Sequence, residues 1–291
     1  VTAAAIARLS AAAEEAGFDA VFVTEHPIPG DAWLATGGHQ ALDPFVALSF
    51  AAAATSRIRL LTNLVIPAYR NPFLLAKAVA SLDHLSGGRV VLGIGAGYLE
   101  PEFEALGVDF AERNDLTDEA IGAMRAVWSG TSVSLTGRHW RAAGNTALPP
   151  PAQAGGPPIW VGGNSRRAMR RAVELADGWA PMMAPARMSA RVHTGAIPTV
   201  GDLARRIAEA KEHAASVGRA APLEVVFNPT GTMTVSDAPA EAGARLVEHA
   251  AELAGAGVTY LNAGTPGSSV GDILAAIAWY AEHVLPALAA L

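Results

Sequence analysis

Glu25 and His26 stand side by side at the end of the apolar run AVFVT (20–24), where a buried strand should stop and its loop begin. A carboxylate beside an imidazole is a pair that acid–base chemistry uses, because the imidazole titrates near neutrality. An isolated Glu-His dipeptide is weak evidence, and capping a strand or bonding a loop backbone explains it as well. Other strand ends must decide. The run LLTNLVIPAYRNP (60–72) stays apolar while carrying Asn63, Pro67 and Asn71-Pro72. That pattern suggests a bulge pressed against something flat, with an ordinary strand-to-helix loop as the alternative. In GIGAGYLEPEFEALG (93–107), Gly93, Gly95 and Gly97 permit close backbone approach. Tyr98 and Glu100, however, stand where a dinucleotide fingerprint needs its third glycine and helix start. PIWVGGNSRRA (158–168) reads as a strand, a Gly162-Gly163 turn, and Asn164 or Ser165 as the N-cap of a helix. Such a turn offers N–H groups to an anion such as a phosphate, and plain βα turn chemistry is an equal alternative.

The elements that would position these residues follow from periodicity. Apolar runs read as strands at 20–24, 58–64, 89–95, 158–162, 177–181, 223–228 and 258–264. Between them, helical patterns run over 2–17, 44–55, 71–85, 115–129, 165–176, 199–217, 239–255 and 269–289, the third stopped by Ser86-Gly87-Gly88. Strands that are apolar on both faces must be covered on both, and alternation with helices gives parallel βα units. The expected fold is a single α/β domain over 1–291, a (β/α)8 barrel of the TIM type with insertion segments. The pattern starts on a helix, so the first strand of such a barrel is missing. A short leading segment that belongs before Val1 is the expectation, an incomplete barrel the alternative. Residues 130–157, with a hairpin-like stretch, and the irregular link 182–198 fall outside the alternation. In such a barrel the site lies at the carboxyl ends of the strands, which puts Glu25 and His26 at the mouth.

Composition removes several classes of function. The net charge of −6 is spread without basic or acidic blocks, so neither a nucleic acid nor a membrane surface is an expected partner. A small-molecule substrate is. The chain has no cysteine, which excludes thiol nucleophiles and thiolate metal sites and fits a reducing compartment. The N-terminal helical pattern carries Arg8, Glu14 and Glu15 and reads neither as a signal peptide nor as a span, so a cytoplasmic protein is expected. Lys77 and Lys211 are the only lysines and both fall in helices, which leaves a Schiff-base aldolase without its nucleophile. The eight histidines form no H-x-H or H-E-x-x-H pair, so no metal site is expected. There is no G-x-S-x-G elbow. An organic cofactor fits what remains better than a side-chain nucleophile.

Taken together, AEEAGFDAVFVTEH, RIRLLTNLVIPAYRNPFLLAKAVASLDHLSGGRVVLGIGAGYLEPEFEALGV, Arg113 with Thr117-Asp118-Glu119, and PPIWVGGNSRRAMRRAVELADGWAP resemble the luciferase-like flavin and deazaflavin oxidoreductases. The resemblance covers residues 10–181 closely and the remainder by βα pattern. It is nearest to the deazaflavin-dependent branch, which implies hydride transfer between coenzyme F420 and a small organic substrate, in a homodimer. It further implies that Glu25 and His26 face the tricyclic ring, His26 as the acid/base group. It implies a non-prolyl cis peptide at Asn63-Leu64 behind the ring, and an approach of Gly162, Gly163 and Asn164 to the cofactor's phosphate side. Gly97 and Tyr98 also fall among the cofactor-binding positions, with Tyr98 a second candidate proton donor. Tyr98 stands where sugar-phosphate dehydrogenases of this branch have a glutamate, and their phosphate-holding lysines have no counterpart, so a sugar phosphate is not the expected substrate. Trp33, His39, Trp140 and His193 are candidates for shaping the substrate pocket. Two alternatives accompany this reading: an FMN-dependent monooxygenase served by a flavin reductase, and a barrel that has lost catalysis.

Overall fold

In a computed structural model, residues 1–227, 239–265 and 269–289 are described. In chain order the elements are α1 (Ala3–Ala16), β1 (Ala20–Val23), α2 (Asp31–Leu34), α3 (Pro44–Ala54), β2 (Arg59–Thr62), α4 (Pro72–Ser86), β3 (Val90–Ile94), α5 (Glu100–Ala105) and α6 (Arg113–Trp128). There follow the hairpin strands β4 (Val133–Thr136) and β5 (Arg141–Asn145), then β6 (Ile159–Gly162), α7 (Arg166–Leu175), β7 (Gly178–Ala180), α8 (Ala186–Arg191) and α9 (Val200–Ser216). The chain continues through β8 (Glu224–Phe227), α10 (Pro239–Ala256), β9 (Tyr260–Leu261), α11 (Val270–His283) and α12 (Leu285–Leu288).

Local chemistry accounts for the helix boundaries. Two helices start on an Asx-Pro step: Asp43 accepts the N–H groups of Phe45 and Val46 ahead of Pro44, and Asn71 accepts that of Phe73 ahead of Pro72. Gly87, at φ +73°, ends α4, and the Gly88 N–H reaches back to the Asp83 carbonyl. The expected helix over 269–289 is instead two helices. Pro286 has no amide hydrogen to continue the ladder and its ring crowds the preceding turn, so α11 ends at His283 and the chain turns at Val284. The link 182–198 is also more regular than expected, because it holds α8 and an antiparallel bridge between Ala184 and Ile197.

The chain divides into two compact units, Phe22–Gly162 and Val1–Val21 with Gly163–Leu291. In the first, parallel strands run in the order β1-β2-β3-β6, with Leu60 opposite Val90 and Gly93 opposite Trp160. Every residue of β3 is buried, as a parallel strand covered on both faces must be. Buried Thr62 donates its hydroxyl to the Gly93 carbonyl, and the Trp128 indole ties α6 to α4 through the Ala76 carbonyl. The antiparallel hairpin β4-β5 occupies the expected insertion.

In the second unit β7, β8 and β9 are parallel neighbours, with Trp179 opposite Val225 and Val226 opposite Tyr260. Phe18, just past α1, stacks edge-on against Tyr280 of α11, and Arg219 closes the end of α7 by donating to the carbonyls of Val173 and Ala176. The described residues thus hold an α/β fold with seven parallel strands, one in each run where the sequence pattern places one; Asn228, at the end of the sixth run, lies outside the described residues.

Candidate active site

The carboxyl ends of β1, β2 and β3 bring one group of side chains together in the first unit. His26 follows β1 and places Nδ1 3.2 Å from Oε2 of Glu102, on α5 beyond β3. Glu102 is 1% exposed, and two more donors converge on it: the Tyr69 hydroxyl at 3.0 Å and, at 3.4 Å, the Ile28 N–H. Three donors around one buried carboxylate supply the hydrogen bonds that its burial demands. Burial first, and then the Glu102 carboxylate, hold the Tyr69 phenol well above its ordinary range, so Tyr69 serves as a donor.

Rings surround His26. Trp33 lies 4.5 Å away between centroids, His39 4.9 Å and Tyr98 6.3 Å. Gly38 permits the loop to fold back on Trp33, since a Cβ there would stand 2.3 Å from the indole. His39 bonds Thr24 through Nε2 at 3.1 Å. Loss of solvent on its inner side, followed by the nearby His26, holds His39 below the usual imidazole range and so in the neutral form.

Glu25, 5% exposed, turns to different partners. It accepts the Ile66 N–H at 2.7 Å and pairs with the Arg70 guanidinium, which binds the end of β1 to the segment after β2. Burial outweighs both partners and keeps the carboxyl above the usual range. The Asn63–Leu64 peptide between these elements is cis. The Leu64 side chain is seated among glycines: a Cβ on Gly162 would lie 2.1 Å from it, on Gly93 3.1 Å and on Gly95 3.2 Å. Gly97, at φ +83°, has the Phe103 ring where its Cβ would be, at 2.6 Å. Gly95 and Gly97 therefore make room for the protein's own Leu64 and Phe103, whereas Gly93 lets β3 lie against the Thr62 carbonyl, which a Cβ there would meet at 2.0 Å.

In the second unit, Gly163 accepts the Trp179 indole N–H at 2.9 Å. Asn164 is not the cap of α7; Ser165 is, accepting the Ala168 N–H at 3.1 Å. Asn164 is 1% exposed and fully occupied as a donor. Its amide donates to the carbonyls of Met182 and Gly195, its Oδ1 accepts the Met182 N–H, and its own N–H goes to the Thr194 hydroxyl. With no donor left for a phosphate, its place in the structure is that of a clamp on the 182–195 link. Of the remaining candidates, Trp33 and His39 join His26, whereas Trp140 packs on Phe73 and His193 lies in the second unit with φ +49°.

Glu102, Tyr69 and Arg70 have no signal of their own in the sequence. Glu102 is one of three glutamates at alternate positions in LEPEFEALG, and only the fold shows that it is the one turned inward. No group of three or more His, Cys, Asp or Glu able to hold a metal ion occurs among the described residues.

Residues 1–272 match the model of a family described as luciferase-like monooxygenase. An F420-dependent glucose-6-phosphate dehydrogenase of Beutenbergia cavernae is 39% identical over 173 residues, which cover 57% of this chain and 49% of that one, so the match spans about half of the relative's length. Among solved structures, the monooxygenase RslO1 of Streptomyces bottropensis superposes with a TM-score of 0.76 at 23% identity, over 98% of this chain and 93% of that one. An F420-dependent secondary alcohol dehydrogenase, solved with an F420-acetone adduct, superposes with a TM-score of 0.75 at 19% identity, over 97% and 94%. At such identities the two structures show a common fold. The similarity at the sequence level runs to named F420-dependent dehydrogenases. The match over nearly the whole length decides the affiliation: the chain belongs to the luciferase-like monooxygenase family.

Proposed function

We propose that the protein is an oxidoreductase that transfers a hydride between coenzyme F420 and a small, uncharged organic substrate such as an alcohol or its carbonyl partner. The observation that carries this reading is an imidazole backed by a buried carboxylate and set among flat rings, beside the cis Asn63–Leu64 peptide. A conjugated ring system fits such a wall, since Trp33, Tyr98 and His26 offer aromatic faces and edges. When bound, the deazaflavin supplies a two-electron hydride donor or acceptor. The chain supplies the rest. His26 exchanges the proton that balances the hydride, Trp33 and His39 cover it, and Glu25 holds Ile66 and Arg70 so that the segment after the cis peptide stays in place. A phosphorylated substrate is not supported: Lys77 is spent on the Leu148 carbonyl and Arg70 on Glu25.

The reading is tested by anaerobic fluorescence titration of the protein with oxidised F420 and, in parallel, with FMN. Binding of F420 at about micromolar Kd, at least about tenfold tighter than FMN, is expected. Preference for FMN would move the protein to the monooxygenases, and binding of neither would remove the catalytic reading.

We further propose a homodimer built on α3 and α4. Helix α3 carries no charged residue, yet Val46 and Phe50, one turn apart, are 59% and 47% exposed, and Leu74 and Leu85 of the neighbouring α4 are 70% and 82% exposed. A helix apolar all round needs a cover, and the uncharged α3 meets its own copy without the repulsion that a net charge of −6 would otherwise impose. Light scattering should give the mass of two chains, shifting towards one in Phe50→Lys with the circular dichroism unchanged. A one-chain mass for the unsubstituted protein would overturn the proposal.

A further inference from the structure

An imidazole with one nitrogen tied down has its tautomer decided by that bond. In His26 the tied nitrogen is Nδ1, and its partner is Oε2 of Glu102. The same oxygen accepts the Tyr69 hydroxyl, and the other is approached by the Ile28 N–H. A carboxylate accepts and does not donate, so a hydrogen bond at this place requires the hydrogen on Nδ1. Among the described residues no hydrogen-bond partner meets Nε2. The rings around the imidazole are Trp33 of α2, His39 from the loop that follows α2, and Tyr98 from the loop after β3.

We propose that Glu102 is a positioning residue: held by Tyr69, it fixes His26 in the Nδ1–H tautomer and leaves Nε2 as the lone-pair nitrogen that takes the substrate's proton. The arrangement is the base-and-orienter logic of nucleophilic and general-base sites, with a tyrosine behind the carboxylate. When a substrate alcohol is oxidised, its C–H bond breaks and the hydride goes to the two-electron acceptor. Its O–H bond breaks as well, the proton goes to Nε2, and the carbonyl forms. The resulting imidazolium carries a hydrogen on each nitrogen, and its charge falls 3.2 Å from the Glu102 carboxylate that stabilises it. The proton step rests on the oxidoreductase reading; the tautomer does not.

The tautomer is measured directly on protein labelled with 15N-histidine, by long-range proton–nitrogen correlation at a pH where the ring is neutral. The His26 signals are identified among the eight histidines by their loss in His26→Gln. The unsubstituted protein should show two well-separated ring nitrogens, Nδ1 protonated and Nε2 bare. In Glu102→Met, which fills similar space without an acceptor, the two resonances should move towards one another as the tautomers exchange. Glu102→Gln keeps an acceptor oxygen and should retain the original pattern. A ring protonated on Nε2 in the unsubstituted protein overturns the proposal, whatever the variants do. So does an unchanged pattern in Glu102→Met, or its loss in both variants, which a general loosening of α5 would equally produce. No cofactor enters the sample, so failure here and failure of the F420 titration are separate results.

Discussion

His26→Ala is expected to lower turnover about 10²- to 10⁴-fold while leaving F420 affinity nearly unchanged, the range over which a positioned acid–base group contributes. The reason for the split lies in the geometry. His26 meets its carboxylate through one nitrogen and rings through its faces and edges, so its removal takes away the proton acceptor while Trp33 and Tyr98 still present an aromatic surface. Equal losses in kcat and kcat/KM would mark an interaction made in the transition state alone. The check is steady-state oxidation of a panel of short secondary alcohols, with F420 reduction followed by absorbance. Full turnover in the variant would remove His26 from the chemistry and leave Tyr98 as the candidate.

Arg70→Ala is expected to cost about 3 kcal/mol of stability near pH 7, the lower end of what breaking a buried ion pair costs, because the guanidinium is partly exposed. The cause is Glu25, left 5% exposed with its carboxylate facing only the Ile66 N–H. Its pH dependence has a definite sign. Glu25 is held above the usual carboxylate range by burial, so its contribution favours the folded state in acid and is lost as pH rises through the folded-state value. Removing Arg70 deletes influences that lower that value and pushes it further up. The deficit relative to the unsubstituted protein should therefore be largest near pH 7 and shrink on going to about pH 5, where more of Glu25 is protonated. Urea unfolding at the two pH values measures this. A deficit that stayed constant, or grew in acid, would show that Arg70 acts through packing on Phe45 instead.

Much of this architecture is legible without coordinates, and the reason is local. Asp43-Pro44, Asn71-Pro72 and Gly87-Gly88 each fix a backbone decision within a few residues, and the strand runs carry their burial in their composition. The cis peptide at Asn63-Leu64 agrees with what the family resemblance implies. The partners of the site are another matter. Seventy-six residues separate His26 from Glu102, and forty-five separate Glu25 from Arg70. Only the pairing of adjacent strands brings such residues together, and nothing in one chain's spacing marks which glutamate or arginine will arrive. The glycines illustrate the same limit. Their need for space is visible at Gly93, Gly95 and Gly97, but that the Thr62 carbonyl and Leu64 fill it depends on the register of β2 against β3, and that Phe103 does depends on how α5 packs.

The seat of Leu64 has a consequence for how this protein can vary. Gly95, just past β3, and Gly162, at the end of β6, border the same side chain first, so the three positions share one volume. A methyl group gained at Gly162 is harmful against a leucine and tolerable against something smaller, and the sign of one substitution depends on the state of another. Free energies at these sites will not add, and substitutions among them can accumulate only in particular orders. The surface that backs the candidate site is in this sense a single inherited unit, carried by residues scattered over a hundred positions of the chain.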